Sequence, residues 1–281
     1  MKQRELGRSG ETIAVIGQGT WELEVADEKE ATRALLAGLE LGMTHVDTAE
    51  MYGDGRVEER LGRVLAGRRK EVFLASKVLP HNASRAGTRR ACQQSLKRLR
   101  TDHLDLYLLH WPGRHPLGET LEAFAELQRE GAIRHYGVSN FDEQELAEAA
   151  RLAGPGRIAC NQVLYHLGER AVEHAVLPTC ERLGITLVAY SPFGSGRFPS
   201  PGSKGGRALA EIATRHGATP RQIALAYLVG NERVVTIPKS SREEHVRENA
   251  AAQDLELSAD DVARIEQAFP LGSKPRSLPT L

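Results

Sequence analysis

The chain has 281 residues, 37 acidic and 37 basic side chains, and a pI near 7.2. That length carries a sizeable core, as one large domain or two ordinary ones. A net charge of zero speaks against a polyanion-binding surface, so nucleic acid is not an expected partner.

In chain order, the opening "MKQRELGRSGETIAVIG" has no apolar signal core. No later run approaches the length of a membrane helix, so a cytoplasmic protein without membrane contact is expected. "RELGRSGETIAV" reads as a hairpin ahead of the first strand. "IAVIGQGT" then leads to a helix over residues 28–41, and "THVDT" precedes "RVEERLGRVLAG". "EVFLASKV" precedes "TRRACQQSLKRL", "LDLYLLHW" precedes "TLEAFAELQREG", and "IRHYGVSN" precedes "EQELAEAARLAG". "IACNQVLY" precedes "HAVLPTCERLG", "ITLVAYSPFG" precedes one longer stretch over 205–230, and "VVTIPKS" precedes "REEHVRENAA". These eight strand-then-helix units have the continuous apolar strands of a parallel sheet covered on both faces. Eight units in about 240 residues predict a single (β/α)8 barrel domain over 1–281, its floor plugged by the N-terminal hairpin. The competing doubly wound sheet wants a glycine-rich phosphate loop after its first strand. "GQGTWELE" lacks the third glycine opening a helix. The tail after Phe269 is short and expected to lie against the surface.

Cys92, Cys160 and Cys180 are widely spaced and read as buried free thiols, with no disulfide frame and no metal site. The chain has 29 arginines and eight lysines, so a lysine at a special place carries more information than usual.

In a β/α barrel the chemistry sits at the C-terminal strand ends. The polar residues there are Asp47, Lys77 and His110, with Tyr52 in the loop after Asp47. A buried lysine beside a tyrosine is expected to lower the phenol below its usual value of about 10, by stabilising phenolate. An aspartate paired to that lysine keeps it charged and oriented. A histidine within reach can orient a carbonyl oxygen or share the proton. Singly, each has a plainer reading: a turn carboxylate, a packed ring, a core histidine. Together, at successive strand ends, they suit proton delivery to a carbonyl that receives a hydride.

"DTAEMYG", "SKV", "LLHWP", "GVSNF", "CNQVLYH", "AYSPFG" and "IPKS…EN" resemble the catalytic and binding segments of the aldo-keto reductases over nearly the whole chain. The resemblance implies a barrel that binds a nicotinamide cofactor without a Rossmann domain. It assigns Tyr52 as acid/base, Lys77 and Asp47 as its tuning pair, and His110 as the carbonyl-orienting residue. Asp47 would also touch the nicotinamide ribose. Ser139, Asn140 and Gln162 would hold the carboxamide, and Tyr190 would stack on the ring. Ser191, Pro192, Phe193, Gly194 and Ser195 would wrap the pyrophosphate. Gly19 and Thr20 match the loop after the first strand, and Trp21 and Trp111 would wall an apolar substrate pocket.

The segment with Ile237 and Pro238 would hold the adenosine end, at the start of the last helix. Lys239 and Ser240 match 2′-phosphate contacts, and Glu248 and Asn249 match adenine contacts. His245 stands where many members carry arginine, and a neutral imidazole is the poorer partner for a dianion. Arg242 is the expected compensation. The implied cofactor is NADPH, with NADH possible at a weaker preference.

"IGQGTW", "DTAEMYGDG" and "NQVLYHLGER" look closest to bacterial members that reduce methylglyoxal and other small aldehydes. The short tail implies an open pocket and a small carbonyl substrate, and a monomer is expected. Two alternatives stay open: a barrel aldolase using Lys77 as a Schiff-base nucleophile, and a cofactor-binding regulatory subunit of the same fold.

Overall fold

The computed structural model describes residues 1–281. A hairpin of β1 (Gln3–Glu5) and β2 (Thr12–Ala14) comes first. Its turn passes through Gly7 at φ 60°, so close to the barrel that a Cβ there would stand 2.6 Å from the Ala159 carbonyl oxygen. Gly7 N–H donates to Thr186 Oγ1 at 2.8 Å. Leu6 and Ile13 are fully buried among Phe73, Leu106, Leu108, Val188 and Val235. The hairpin therefore plugs the barrel floor with its own apolar side chains.

Eight parallel strands follow in sequential order: β3 (Gln18–Gly19), β4 (His45–Asp47), β5 (Phe73–Val78), β6 (Leu104–Leu109), β7 (Ile133–Ser139), β8 (Ile158–Leu164), β9 (Thr186–Tyr190) and β10 (Val234–Thr236). Parallel bridges Ile16↔Thr236 and Gly19↔Lys239 join the last strand to the first and close the barrel. Glycine at 19 permits this closure, because a Cβ would stand 2.6 Å from the Ile237 carbonyl oxygen.

Helices α1 (Glu28–Glu40), α2 (Arg56–Val64), α3 (Arg85–Leu99), α4 (Leu117–Arg129), α5 (Glu143–Ala153) and α6 (Val176–Leu183) each connect one strand to the next. The main apolar cluster lies between this ring and the outer faces of the strands, and includes Leu35, Leu61, Phe124, Leu146 and Cys180. All three cysteines are free and buried.

Three details depart from the sequence reading. "IAVIGQGT" is divided: Ile13 and Ala14 belong to the hairpin, and the first barrel strand is only Gln18–Gly19. The stretch 205–230 is two helices, α7 (Lys204–His216) and α8 (Pro220–Gly230). Gly217 ends the first in the left-handed region, and Thr219 with Pro220 starts the second with a capping box to Gln222. The helix after β10, α9 (Glu243–Ala251), is not the last, since α10 (Ala259–Ala268) follows it. The tail lies against the surface, as the sequence predicts, with residues 271–277 exposed. Lys274 pairs with Glu143 at 2.5 Å, Leu278 packs on the main cluster, and Leu281 reaches the barrel mouth.

Candidate active site

Strand alternation places His45 and Asp47 on one face of β4, pointing into the barrel, with Asp47 at the mouth. The chain then turns through Gly53, Asp54 and Gly55 at φ 56°, 53° and 85°. Three left-handed residues in a row form a tight loop that suits glycine at its ends. Tyr52, just before that loop, lies over the mouth, and the loop leads on into α2. Glu50 fixes this turn from the far side, accepting from Leu79 N–H at 2.7 Å and Asn82 Nδ2 at 3.0 Å.

Lys77, on β5, has no exposed surface, and each of its three ammonium protons has a partner. Nζ donates to Asp47 Oδ1 at 2.6 Å, to the Thr48 carbonyl at 2.7 Å and to the Tyr52 hydroxyl at 3.1 Å. Gln162 Nε2 holds the other Asp47 oxygen at 2.7 Å, and Thr20 Oγ1 donates to the Asp47 carbonyl at 2.8 Å. Asp47 thus ties three neighbours together at the mouth, its carboxylate holding β5 and β8 and its carbonyl holding Thr20 at the end of β3. Burial disfavours the Lys77 charge, but Asp47 and Tyr52 more than offset it, and its pKa is raised. The sequence reading had Tyr52 lowered. Its pKa is instead raised, because burial outweighs the pull of Lys77. His110 lies beside it, with ring centroids 6.0 Å apart. Burial, then the Lys77 charge, push His110 down to about 2, so the imidazole is neutral. Its Nδ1 is buried without a partner, which leaves Nε2 as the ring nitrogen open to the cleft.

The ends of β7, β8 and β9 form one polar network. Ser139 Oγ donates to the Gln162 carbonyl at 2.8 Å, and Asn140 Nδ2 donates to the His110 carbonyl at 3.0 Å and Ser139 Oγ at 3.2 Å. The Tyr190 hydroxyl donates to Asn140 Oδ1 at 2.9 Å. Beyond Tyr190 the chain passes Ser191, Gly194, Ser195 and Gly196, all at positive φ. The N–H groups of Phe193, Ser195 and Gly196 bond nothing within the chain.

A cleft of about 1210 Å³ runs from Trp21, Tyr52, His110 and Trp111 to Lys239, His245, Glu248 and Asn249. Gly19, Thr20, Asp47, Ser139, Asn140, Gln162, Tyr190, Ser191, Pro192, Phe193, Ser195, Ile237 and Ser240 line it between. Lys77 lies beneath its wall, and Gly194 and Pro238 are in lining segments without facing it. Trp21 meets Tyr52 edge-on at 5.0 Å, and Trp111 is tilted 4.8 Å from His110. Lys239 and His245 are exposed and paired with nothing.

Arg242 is the exception. It does not line the cleft, and its guanidinium lies 3.9 Å from Glu244. The arginine that does line the cleft is Arg221, from the first turn of α8. Its guanidinium stacks over Phe198 at 4.9 Å and Phe193 at 5.9 Å. No carboxylate pairs with it. The signal for it was the helix start "TPRQ", hidden by treating 205–230 as one stretch. Leu281, also missed, lines the same cleft.

The chain has counterparts among known proteins. Residues 15–269 match the model of the Aldo/keto reductase family. The chain is 41% identical over 273 residues to methylglyoxal reductase YeaE of Escherichia coli K12, covering 96% of each chain. It is 34% identical over 261 residues to glyoxal reductase of Bacillus subtilis 168, covering 92% of this chain and 90% of that one. An aldo-keto reductase from Klebsiella pneumoniae, crystallised with NADPH, superposes with a TM-score of 0.92 at 39% identity over 100% of both chains. The chain belongs to the aldo-keto reductase family.

Proposed function

We propose that this chain reduces small aldehydes and ketones with NADPH, with Tyr52 as the general acid. The observation that carries the reading is the contact of Lys77 with both Asp47 and the Tyr52 hydroxyl, directly below an open cleft. Bound NADPH would supply the hydride. The chain's own residues supply position and a proton. Tyr52, with its pKa raised, keeps its proton at neutral pH and is therefore a donor. As oxyanion character develops on the substrate, the Lys77 ammonium beside the phenol stabilises the phenolate left after proton transfer. Asp47 keeps that ammonium charged. His110 stays neutral, and assigning its proton to Nε2 gives a hydrogen-bond donor facing the carbonyl.

The cleft fits the cofactor in two respects. The free N–H groups of Phe193, Ser195 and Gly196 offer donors to a pyrophosphate. Lys239, Ser240 and Arg221 offer donors, two of them cationic, around the far end. Ser139, Asn140 and Gln162 would hold the carboxamide, Tyr190 would support the ring, and Glu248 and Asn249 would meet the adenine.

The aromatic wall of Trp21 and Trp111, rimmed by Met51 and Leu281, favours compact carbonyls. Methylglyoxal is the substrate class we favour, in line with the activities for which the Escherichia coli and Bacillus subtilis relatives are named. A Schiff-base role for Lys77 has no support in this geometry, since its amine is protonated, fully bonded and without exposed surface. A panel of carbonyls with NADPH and NADH, followed by cofactor absorbance, tests the proposal. No turnover of any small aldehyde would end it in favour of a regulatory subunit.

A further inference from the structure

Behind Lys77 lies a second buried charge. Glu58, in the first turn of α2, has no exposed surface. Its Oε1 accepts the Ser76 hydroxyl at 2.6 Å, and its Oε2 accepts Arg98 Nε at 2.6 Å. Ser76 precedes Lys77 on β5, so alternation turns it outward, toward α2, while Lys77 turns in. Arg98, in the last turn of α3, touches both ends of α2. A Cβ on Gly55, just before the helix, would stand 2.7 Å from Arg98 Cδ, and one on Gly62 would stand 2.3 Å from the Arg98 carbonyl oxygen.

The turn that α2 continues is the one carrying Tyr52. Glu58 lies six residues after Tyr52, and its partner Ser76 lies one residue before Lys77. The contact between Tyr52 and Lys77, at 3.1 Å, is the longest of the three Lys77 makes. Of the three acceptors only Tyr52 lies on that turn, so its contact is the one that opens if α2 moves relative to β5. A buried ion pair gains little stability over apolar side chains of equal volume, and its better-attested use is to fix one arrangement.

We propose that Glu58 is a positioning residue. By holding Ser76 and Arg98 at once, it locks the Tyr52 turn against β5 and sets the spacing of the proton donor from Lys77. The proposal rests on Tyr52 being that donor. The nicotinamide and adenosine contacts lie on other elements and do not depend on it.

Glu58→Gln keeps the shape and removes the charge, and Ser76→Ala removes only the hydroxyl. Misplacement of a catalytic group by about 1 Å costs on the order of 10²-fold in rate. Glu58→Gln is therefore expected to lower kcat by about 10–100-fold, with Kd for NADPH, measured by fluorescence titration, within about twofold of the parent. The deuterium isotope effect on kcat with deuterated NADPH should rise as the chemical step becomes limiting. Ser76→Ala should move both quantities the same way by less. A loss of thermal stability with unchanged kcat per folded molecule and an unchanged isotope effect would overturn the proposal. If Glu58→Gln does not fold, Ser76→Ala decides alone, and parental kcat there has the same force. Tyr52→Phe, run in parallel, separates the two levels. A fully active Tyr52→Phe removes the donor assignment. An inactive Tyr52→Phe beside an unimpaired Glu58→Gln removes only the positioning role.

Discussion

The two ends of the cleft are built differently. At the catalytic end, Asp47, Lys77, Ser139 and Gln162 are at most 2% exposed, and each side chain is hydrogen-bonded to a neighbour within the chain. At the far end, Lys239 and His245 are exposed and bonded to nothing, while Ser240 only touches the backbone of its own turn. Folding itself fixes the first geometry. The second is a set of charges awaiting a partner. Changes at the first end should therefore cost turnover, and changes at the second should cost affinity and depend on salt.

The largest effect tests the rigid end. Tyr52→Phe removes the proposed proton donor and no cofactor contact, so kcat should fall by about 10²–10⁴-fold with cofactor binding nearly intact. Lys77→Met should lose a similar amount, and the double variant little more, because groups acting as a unit lose function non-additively. Removing one partner of a buried pair also costs stability, typically about 3–5 kcal/mol, so unfolding must be measured alongside. If the two losses multiplied, Lys77 would have a role independent of the phenol.

The pH profile reads the same end. Carbonyl reduction needs the Tyr52 proton, and a raised pKa keeps that proton throughout the neutral range. The rate of reduction should therefore be flat there and fall only as the pH climbs past the phenol's own value. His110, at about 2, contributes no change on the acid side. Stopped-flow rates of the chemical step check this. A loss of rate centred between about pH 6 and 7 would mean that an imidazole titrates in the step after all.

How legible each end was follows from the same contrast. Asp47, Lys77 and His110 could be picked out because each ends an apolar strand, where a polar side chain stands out. The direction of the Tyr52 shift could not, because it depends on burial depth, which is set by Trp21 and His110 packing around the ring. The first strand was misjudged because its defining residue is a glutamine. Gln18 turns outward and bonds the Leu35 and Met43 carbonyls at 3.2 and 3.0 Å, replacing the apolar contact expected of a barrel strand. Arg221 escaped notice because its placement depends on where α8 begins, a boundary set by Thr219 and Pro220 inside an otherwise helical pattern.

At the open end, Lys239→Ala should produce the larger change. A charge-assisted contact contributes about 1.5–3 kcal/mol, or roughly ten- to a hundredfold in affinity. NADPH should weaken by that factor and NADH hardly at all. Equal losses for both would place the lysine on the pyrophosphate. The two arginines give a finer comparison. Arg221→Ala should weaken NADPH several-fold, on the order of 1 kcal/mol, while Arg242→Ala, outside the cleft and beside Glu244, should change it within titration error. The opposite ranking would restore Arg242 as the compensating cation.

The smallest effect sharpens the contrast most. His245 is exposed on the first turns of α9, lines the cleft and has no partner. An imidazole offers a phosphate neither a planar fork nor a permanent charge, whereas a guanidinium offers both. His245→Arg should therefore tighten NADPH, but only by a few-fold, since an exposed ion pair typically contributes about 0.2–1 kcal/mol. NADH, without the 2′-phosphate, should be unaffected. Raising the ionic strength from about 0.01 M to 1 M shortens the screening length from about 30 Å to about 3 Å, so the gain should shrink with added salt. The Tyr52–Lys77 contact, buried and screened far less, should leave the rate of the chemical step unchanged over the same titration. Salt-independent tightening would mean that the introduced guanidinium is taken out of water when the cofactor binds, and that this end closes over its ligand instead of remaining open.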